Sequence, residues 1–199
     1  MKSRRWVENV LVIAGVLSLD VWIWSNAGNA LYQGWENRVF NQEVHYRLPA
    51  PASPAPLATD KGLVGRLSIP RLHLSAMVRE GAGEETLSLA LGHIPHTALP
   101  GQPGNVGIAG HRDRLFRGLR NIRRDDLIVL ETLEGKYVYQ VKSTSIVRPQ
   151  DTSVLNAGQH SELTLVTCYP FYYVGSAPQR FIVKALEIPP SSRTLAAKL

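Results

Sequence analysis

The chain has one cysteine, Cys168, in the segment TLVTCYPFYYVG, and the next apolar segment, QRFIVKALEI, brings Arg180 at its start. Upstream, NVGIAGHRD carries His111. A thiol, an imidazole and a guanidinium are together able to break and remake an acyl bond. The thiolate attacks a carbonyl carbon, an imidazolium protonates the departing amine, and a second amine attacks the resulting thioester. The developing oxyanion needs donors, and losing one such donor costs ~2.7–4 kcal/mol. Arg180 suits that duty, because its planar fork stays charged and offers several fixed donors. With ordinary pKa values of about 8.5 and 6.5, independent titration leaves thiolate and imidazolium together in fewer than about one molecule in a hundred at pH 7. The site must raise that fraction or work with a small active one.

A lone thiol excludes an intrachain disulfide and a multi-thiolate zinc site. Taken alone, Cys168 also fits a buried, inert cysteine; its neighbours favour a nucleophile. A papain-like arrangement needs a histidine well downstream of the cysteine, and all six histidines precede Cys168. A zinc centre on His93, His96 and His111 is disfavoured because Ile94–Pro95 breaks any regular helical pair. Gly81 to Gly83 reads GAG, a turn without a dinucleotide-binding context. The net charge of +6 comes from scattered Lys and Arg, with no interleaved aromatic–basic pattern, which argues against nucleic acid.

These residues need a scaffold. From Gly62 to Ile188 the chain alternates short apolar runs with turn-forming residues. GLVGRLSIPRLHLSAMV predicts two short strands broken at Pro70, and EETLSLALGHI a short helix from Glu84 that ends at Gly92. NVGIAG predicts a buried strand delivering His111, followed by a helical turn in RLFRGLRNI. DLIVLETLEGKYVYQVKSTSIV predicts a hairpin turning at Glu134–Gly135. LTLVTC and QRFIVKALEI predict two strands bringing Cys168 and Arg180 towards one cavity. Many short strands with few helical segments point to a mainly β fold, a closed or partly closed barrel with short helices.

Ahead of that domain, Lys2, Arg4 and Arg5 precede an apolar stretch from Trp6 to Trp24. A helix of that stretch spans roughly 28 Å, close to the ~30 Å hydrocarbon core of a bilayer. The basic residues on its amino side place the amino terminus in the cytoplasm and the rest outside. A cleaved signal peptide is the rival, disfavoured by the bulky Trp22–Ile23–Trp24 before the small residues a cleavage enzyme would need. Residues 27–46 carry Leu31, Trp35, Val39 and Phe40 at helical spacing, and LPAPASPAPLATD reads as a semi-rigid linker. The expected organisation is an anchor at 1–26, a juxtamembrane helix and linker at 27–61, a barrel at 62–190 and a tail at 191–199.

The wording TLVTCYPF with a downstream arginine after VGSAP, together with NVGIAGHRD, resembles the sortases, most of all the class D sortases. The resemblance runs over about Gly62 to Ile188, and the anchor-plus-linker layout is similar as well. It implies a sortase-like eight-stranded β-barrel behind a single transmembrane helix. It implies a cysteine transpeptidase that cleaves an LPxTG-like sorting signal and passes its acyl part to a cell-wall or pilin amine. By position, His111, Cys168 and Arg180 match the family's catalytic residues. His93, Asn105, Thr167 and Tyr169 are expected beside the substrate, and Asp113 as a support for His111 or as a loop hydrogen bond. Some sortases bind calcium; Glu80, Glu84, Glu85 and Asp151 are present here, but without regular ligand spacing, so no metal or other cofactor is expected. The non-enzyme alternative is a membrane-tethered peptide-binding module that keeps the barrel without turnover.

Overall fold

The computed structural model describes residues 6, 9–20, 34–35, 37–38, 41, 62–158, 160–173 and 175–189. Eight strands form a closed barrel: β1 (Leu63–Ile69), β2 (Leu74–Glu80), β3 (Leu91–His93), β4 (Asn105–Ala109), β5 (Leu127–Glu131), β6 (Lys136–Val147), β7 (Glu162–Tyr169) and β8 (Gln179–Glu187). Around the ring their order is β1-β2-β3-β4-β7-β8-β6-β5, with β5 pairing back onto β1. Closure leaves no sheet edge to guard. Most pairs are antiparallel, but β2–β3 and β4–β7 are parallel.

The pairings follow from local chemistry. Pro70 ends β1 and starts a 3-10 helix (Pro70–Leu72), after which His73, in the left-handed region at φ 49°, turns the chain into β2. Along β1 the burial alternates residue by residue, as a strand with one wet face requires. The β5–β6 hairpin turns at Glu134–Gly135, where Thr132 Oγ1 accepts from both amides of that pair at 3.1 and 3.2 Å. Leu67, Ile108, Leu130, Tyr139, Leu163 and Val183 are fully buried members of one interior cluster. Cβ positions at Gly110 would lie 2.7 Å from both Leu91 and Phe116, so only glycine lets the chain leave β4 here.

One element differs from expectation. The helix α2 (Glu84–Leu89) stops before the predicted Gly92, and the next residues form β3. Ala90 is already extended, and a side chain at Gly92 would run into the Gly81 carbonyl. Pairing with β2 and β4 claims these residues from the helix.

In the amino-terminal region, α1 (residues 9–20) is helical and its side chains are exposed. Among the described residues no helix is long and apolar enough to cross a membrane. The carboxy-terminal part of the predicted span, the Pro-rich linker and the 191–199 tail lie outside the described residues. Gly34, Trp35, Asn37, Arg38 and Asn41 are helical. From β1, Arg66 reaches this helix, donating to Asn41 Oδ1 at 2.9 Å and Asn37 Oδ1 at 3.4 Å, while also pairing with Glu131 at 2.6 Å.

A second guanidinium ties the barrel's connections together. Arg71 donates to both oxygens of the buried Asp126, with Nη2 2.6 Å from Oδ2, and to the Asn121 carbonyl at 2.6 Å. The Arg71 hydrogen bonds hold the Asp126 carboxyl below its ordinary range; burial opposes this, and the Arg123 amide adds to it. A depressed folded pKa gives stability above the unfolded value, lost as pH falls through the folded one. Asp126→Asn should therefore cost about 1–2 kcal/mol at pH 7, and the gap to the parent should narrow as pH drops below about 4. Denaturant unfolding of both chains across that range checks it.

Candidate active site

Three strands carry the reactive side chains to one level. Antiparallel pairing of β7 with β8 sets Cys168 directly opposite Arg180. Directly opposed residues point to the same face, with Cβ atoms about 4.5–5.5 Å apart. Parallel pairing of β4 with β7 sets Ala109 beside Val166. The register continues past the strand end, since Gly110 N donates to Val166 O at 3.1 Å and Thr167 Oγ1 to Gly110 O at 2.7 Å. Two residues beyond Ala109, His111 reaches the level of Cys168.

The face is the outer one. Leu163, Leu165 and Thr167 alternate into the buried side of β7, and Val183 and Ala185 do so on β8. Cys168 and Arg180 have the opposite parity and are half-buried. The sequence suggested a shared cavity; the residues instead occupy a site on the barrel's outer wall, near the strand ends. The aromatic rings of Tyr169 and Phe181, on the parity opposite to Cys168, pack with Phe171 of the following turn, with centroids 5.3–6.3 Å apart. This cluster stiffens the end of the β7–β8 pair.

Arg180 is partly committed. Its Nη1 donates to the carbonyls of Ala177 at 3.2 Å and Gln179 at 3.0 Å. Nε and Nη2 make no hydrogen bond among the described residues, so they can meet a developing oxyanion. His111 lies with Nε2 3.4 Å from Glu84 Oε1. That carboxylate, in the first turn of α2, is the one the sequence reading missed as a histidine neighbour: nothing in the spacing signals it, because α2 and the β4 end meet only after β2 and β3 pair.

The residues expected beside the substrate are placed differently. His93 is 2% exposed; its Nδ1 is 2.8 Å from Glu80 Oε2, and its Nε2 is 3.0 Å from Ala98 O. Both ring nitrogens serve the joint between β2, β3 and the following turn, which also removes His93 from the zinc reading. Asn105 is buried, donating to Val154 O and Asn156 O and accepting from Thr164 Oγ1 at 2.7 Å. It stands at the far end of β4, about 20 Å from His111 at the rise of a strand. Thr167 turns inward and spends its hydroxyl on Gly110 O. Tyr169 packs on phenylalanines. Asp113 makes no hydrogen bond to His111 among the described residues. His93, Asn105 and Thr167 thus spend their polar atoms on backbone and side-chain partners inside the protein, which a linear sequence does not reveal. No group of three or more His, Cys, Asp or Glu residues able to hold a metal occurs among the described residues.

A family model describing the sortase domain matches residues 67–188, the stretch that builds the barrel and the site. The chain belongs to the sortase family. It is similar to Sortase D of Bacillus subtilis (strain 168), 36% identical over 121 residues, covering 60% of this chain and 61% of that one. It is also similar to Sortase A of Bacillus anthracis, 30% identical over 112 residues, covering 54% and 53%. The chain thus spans less than two thirds of the length of either relative. Among solved structures it is similar to a Clostridium perfringens Sortase D5 transpeptidase, with a TM-score of 0.59, 30% identity and coverage of 64% and 79%. Sortase C1 of Streptococcus agalactiae gives a TM-score of 0.62 at 28% identity, covering 67% and 71%. The likeness to Sortase D and Sortase D5 agrees with the class D resemblance of the motifs.

In this sortase the unengaged part of the Arg180 fork makes a sharp prediction. Arg180→Lys keeps the charge but loses the planar donor pair. Turnover should fall about 100-fold or more, as for loss of an oxyanion donor, while affinity for a bound peptide changes little. Measuring kcat beside the peptide Kd checks it, and equal losses in both would leave Arg180 a mere binding residue.

Proposed function

We propose that this sortase is a membrane-anchored cysteine transpeptidase acting on an LPxTG-like sorting signal. The observation that carries the reading is the direct pairing of Cys168 with Arg180, with the His111 turn at the same level on the neighbouring strand. Cys168 Sγ forms a bond to the scissile carbonyl carbon, and the carbonyl π electrons move onto oxygen, where Arg180 donates hydrogen bonds. As the intermediate collapses, the C–N bond breaks and His111 gives its proton to the departing amine nitrogen. A second amine then attacks the thioester, His111 takes up its proton, and Cys168 leaves as thiolate. The half-buried position of Cys168 on the outer wall suits an extended peptide, which needs an open groove rather than a closed cavity.

The anchor is supported by α1. Its Leu11, Ile13, Leu17 and Leu19 are all more than half exposed, an arrangement that finds its partner in lipid. Ser18, the polar residue within this run, donates to Ala14 O at 2.8 Å, so its hydroxyl is satisfied inside the helix. With Lys2, Arg4 and Arg5 on the cytoplasmic side, the barrel faces the outside of the cell membrane. There it meets surface proteins bearing a carboxy-terminal sorting signal and an accepting amine of the cell wall or of a pilin lysine.

Two experiments test these statements. Incubation with a sorting-signal peptide should yield a covalent thioester detectable as added mass, absent in Cys168→Ala; a parent chain that binds the peptide without forming the adduct would favour the silent binding module. Deleting residues 1–26 should move the protein from the membrane pellet to the soluble fraction. A full chain that is itself soluble would end the anchored reading.

A further inference from the structure

The connection from β7 to β8 joins the strand of Cys168 to the strand of Arg180, and it is held from two sides. From the turn after β4, Arg112 Nη2 donates to the carbonyls of Tyr173 at 2.7 Å and Gly175 at 3.0 Å. The Arg112 guanidinium also lies 5.9 Å from the centroid of the Tyr173 ring. Further along the same connection, Arg120 lies 5.4 Å from the Tyr172 ring. From β8, Arg180 Nη1 holds the carbonyls of Ala177 and Gln179. Two guanidiniums thus hold the backbone of this one loop by hydrogen bonds. One belongs to the residue after His111, and the other is the group set opposite Cys168.

The grip is polar rather than apolar. Tyr172 is 77% exposed and Tyr173 46%, so burial of the loop tip does not hold it in place. Gly175 sits at φ +95°, a conformation that presents its carbonyl where most residues would be strained. Arg112 Nη1 is shielded from water and has no hydrogen-bond partner. An unmade buried donor is a cost that a solvated surface arginine would not carry. The two Nη2 bonds are therefore the hydrogen bonds by which Arg112 holds the loop.

We propose that Arg112 is a positioning residue: it ties the β7–β8 loop to the His111 turn, and through the Ala177 and Gln179 carbonyls it orients the Arg180 guanidinium beside Cys168. The structural half of this inference stands by itself; its kinetic half rests on the transpeptidase reading. Arg112→Ala removes the whole side chain, whereas Arg112→Gln keeps much of its bulk and loses the charge and the fork.

Hydrogen exchange on the full chain tests the structural half. In both variants the amides of residues 171–177 should exchange about tenfold faster or more, with the strands β1, β5 and β6 unchanged. If Arg112→Ala loosens the whole barrel, Arg112→Gln decides. Loop exchange in Arg112→Gln equal to that of the parent overturns the proposal. The kinetic half is read from single-turnover thioester formation with a sorting-signal peptide, followed for hours so that slow variants are measurable. Arg112→Gln should lower this rate about ten- to hundredfold. In an Arg180→Lys background the further loss should shrink to about twofold, since the group Arg112 orients is already impaired. Full additivity would show that Arg112 acts independently of Arg180 and overturn its positioning role. A parent that makes no thioester would sink the transpeptidase reading, while the exchange measurement would still decide the clamp.

Discussion

The register of β7 against its two neighbours is the constraint on which the site depends. Cys168 faces Arg180 only because Leu163 pairs with Ala185 and Leu165 with Val183 further down the same two strands. Those four residues are fully buried or nearly so. A slip of one residue on β7 would turn Leu163 and Leu165 outward and Cys168 inward, since side chains alternate with a period of two. The apolar interior therefore fixes the chemistry from within: about 1.5–3 kcal/mol for burying each large aliphatic side chain stands against any such slip. The parallel pairing of β4 applies the same logic to His111, with Val106 and Ile108 in the core. No bond between the three reactive groups is needed to bring them together.

The same reasoning shows which parts of the molecule were legible in the sequence. Alternation marked the β1 run and the Tyr137, Tyr139 and Val141 face of β6, while β7 and β8 were legible as short apolar runs bounded by turn residues. The Glu134–Gly135 turn was legible because it joins two such runs. β3 was not. Leu91, Gly92 and His93 are all buried and show no alternation, and they follow a helical pattern without a break. His111, Cys168 and Arg180 were legible as candidates from residue type and neighbouring motif. The face they occupy was not, because parity needs a known interior. His93, Asn105 and Thr167 show the same dependence on partners in three dimensions. A polar residue near a reactive motif looks like a substrate contact until its hydrogen bonds are counted, and here they are already made within the protein.

Those saturated residues still shape the site. Thr167 ties the backbone of β7 to Gly110, the residue before His111, at a point where the parallel ladder is ending. Asn105 and Thr164 together hold the 3-10 helix (Ser153–Leu155) against the outer face of the β4–β7 pair. Buried polar groups with every partner present rigidify their surroundings. The outer wall around Cys168 thus combines a fixed backbone with half-buried side chains at Cys168 and Arg180.

The ring order also fixes where the helical residues Asn37 and Asn41 meet the barrel. In a closed ring of eight strands, β1 and β7 are four steps apart in either direction, so they form opposite walls. Arg66 lies on β1 with the parity opposite to the buried Leu67, and it meets Asn37 and Asn41 there while pairing with Glu131 of β5. Cys168 points outward from the other wall. This part of the chain therefore meets the barrel on the side away from Cys168. Had it packed on β7 or β8, its backbone would compete with any peptide for the half-buried face of Cys168 and Arg180. Contact at the β1–β5 seam avoids that competition, and the carbonyls that hold Arg180 come instead from the β7–β8 connection.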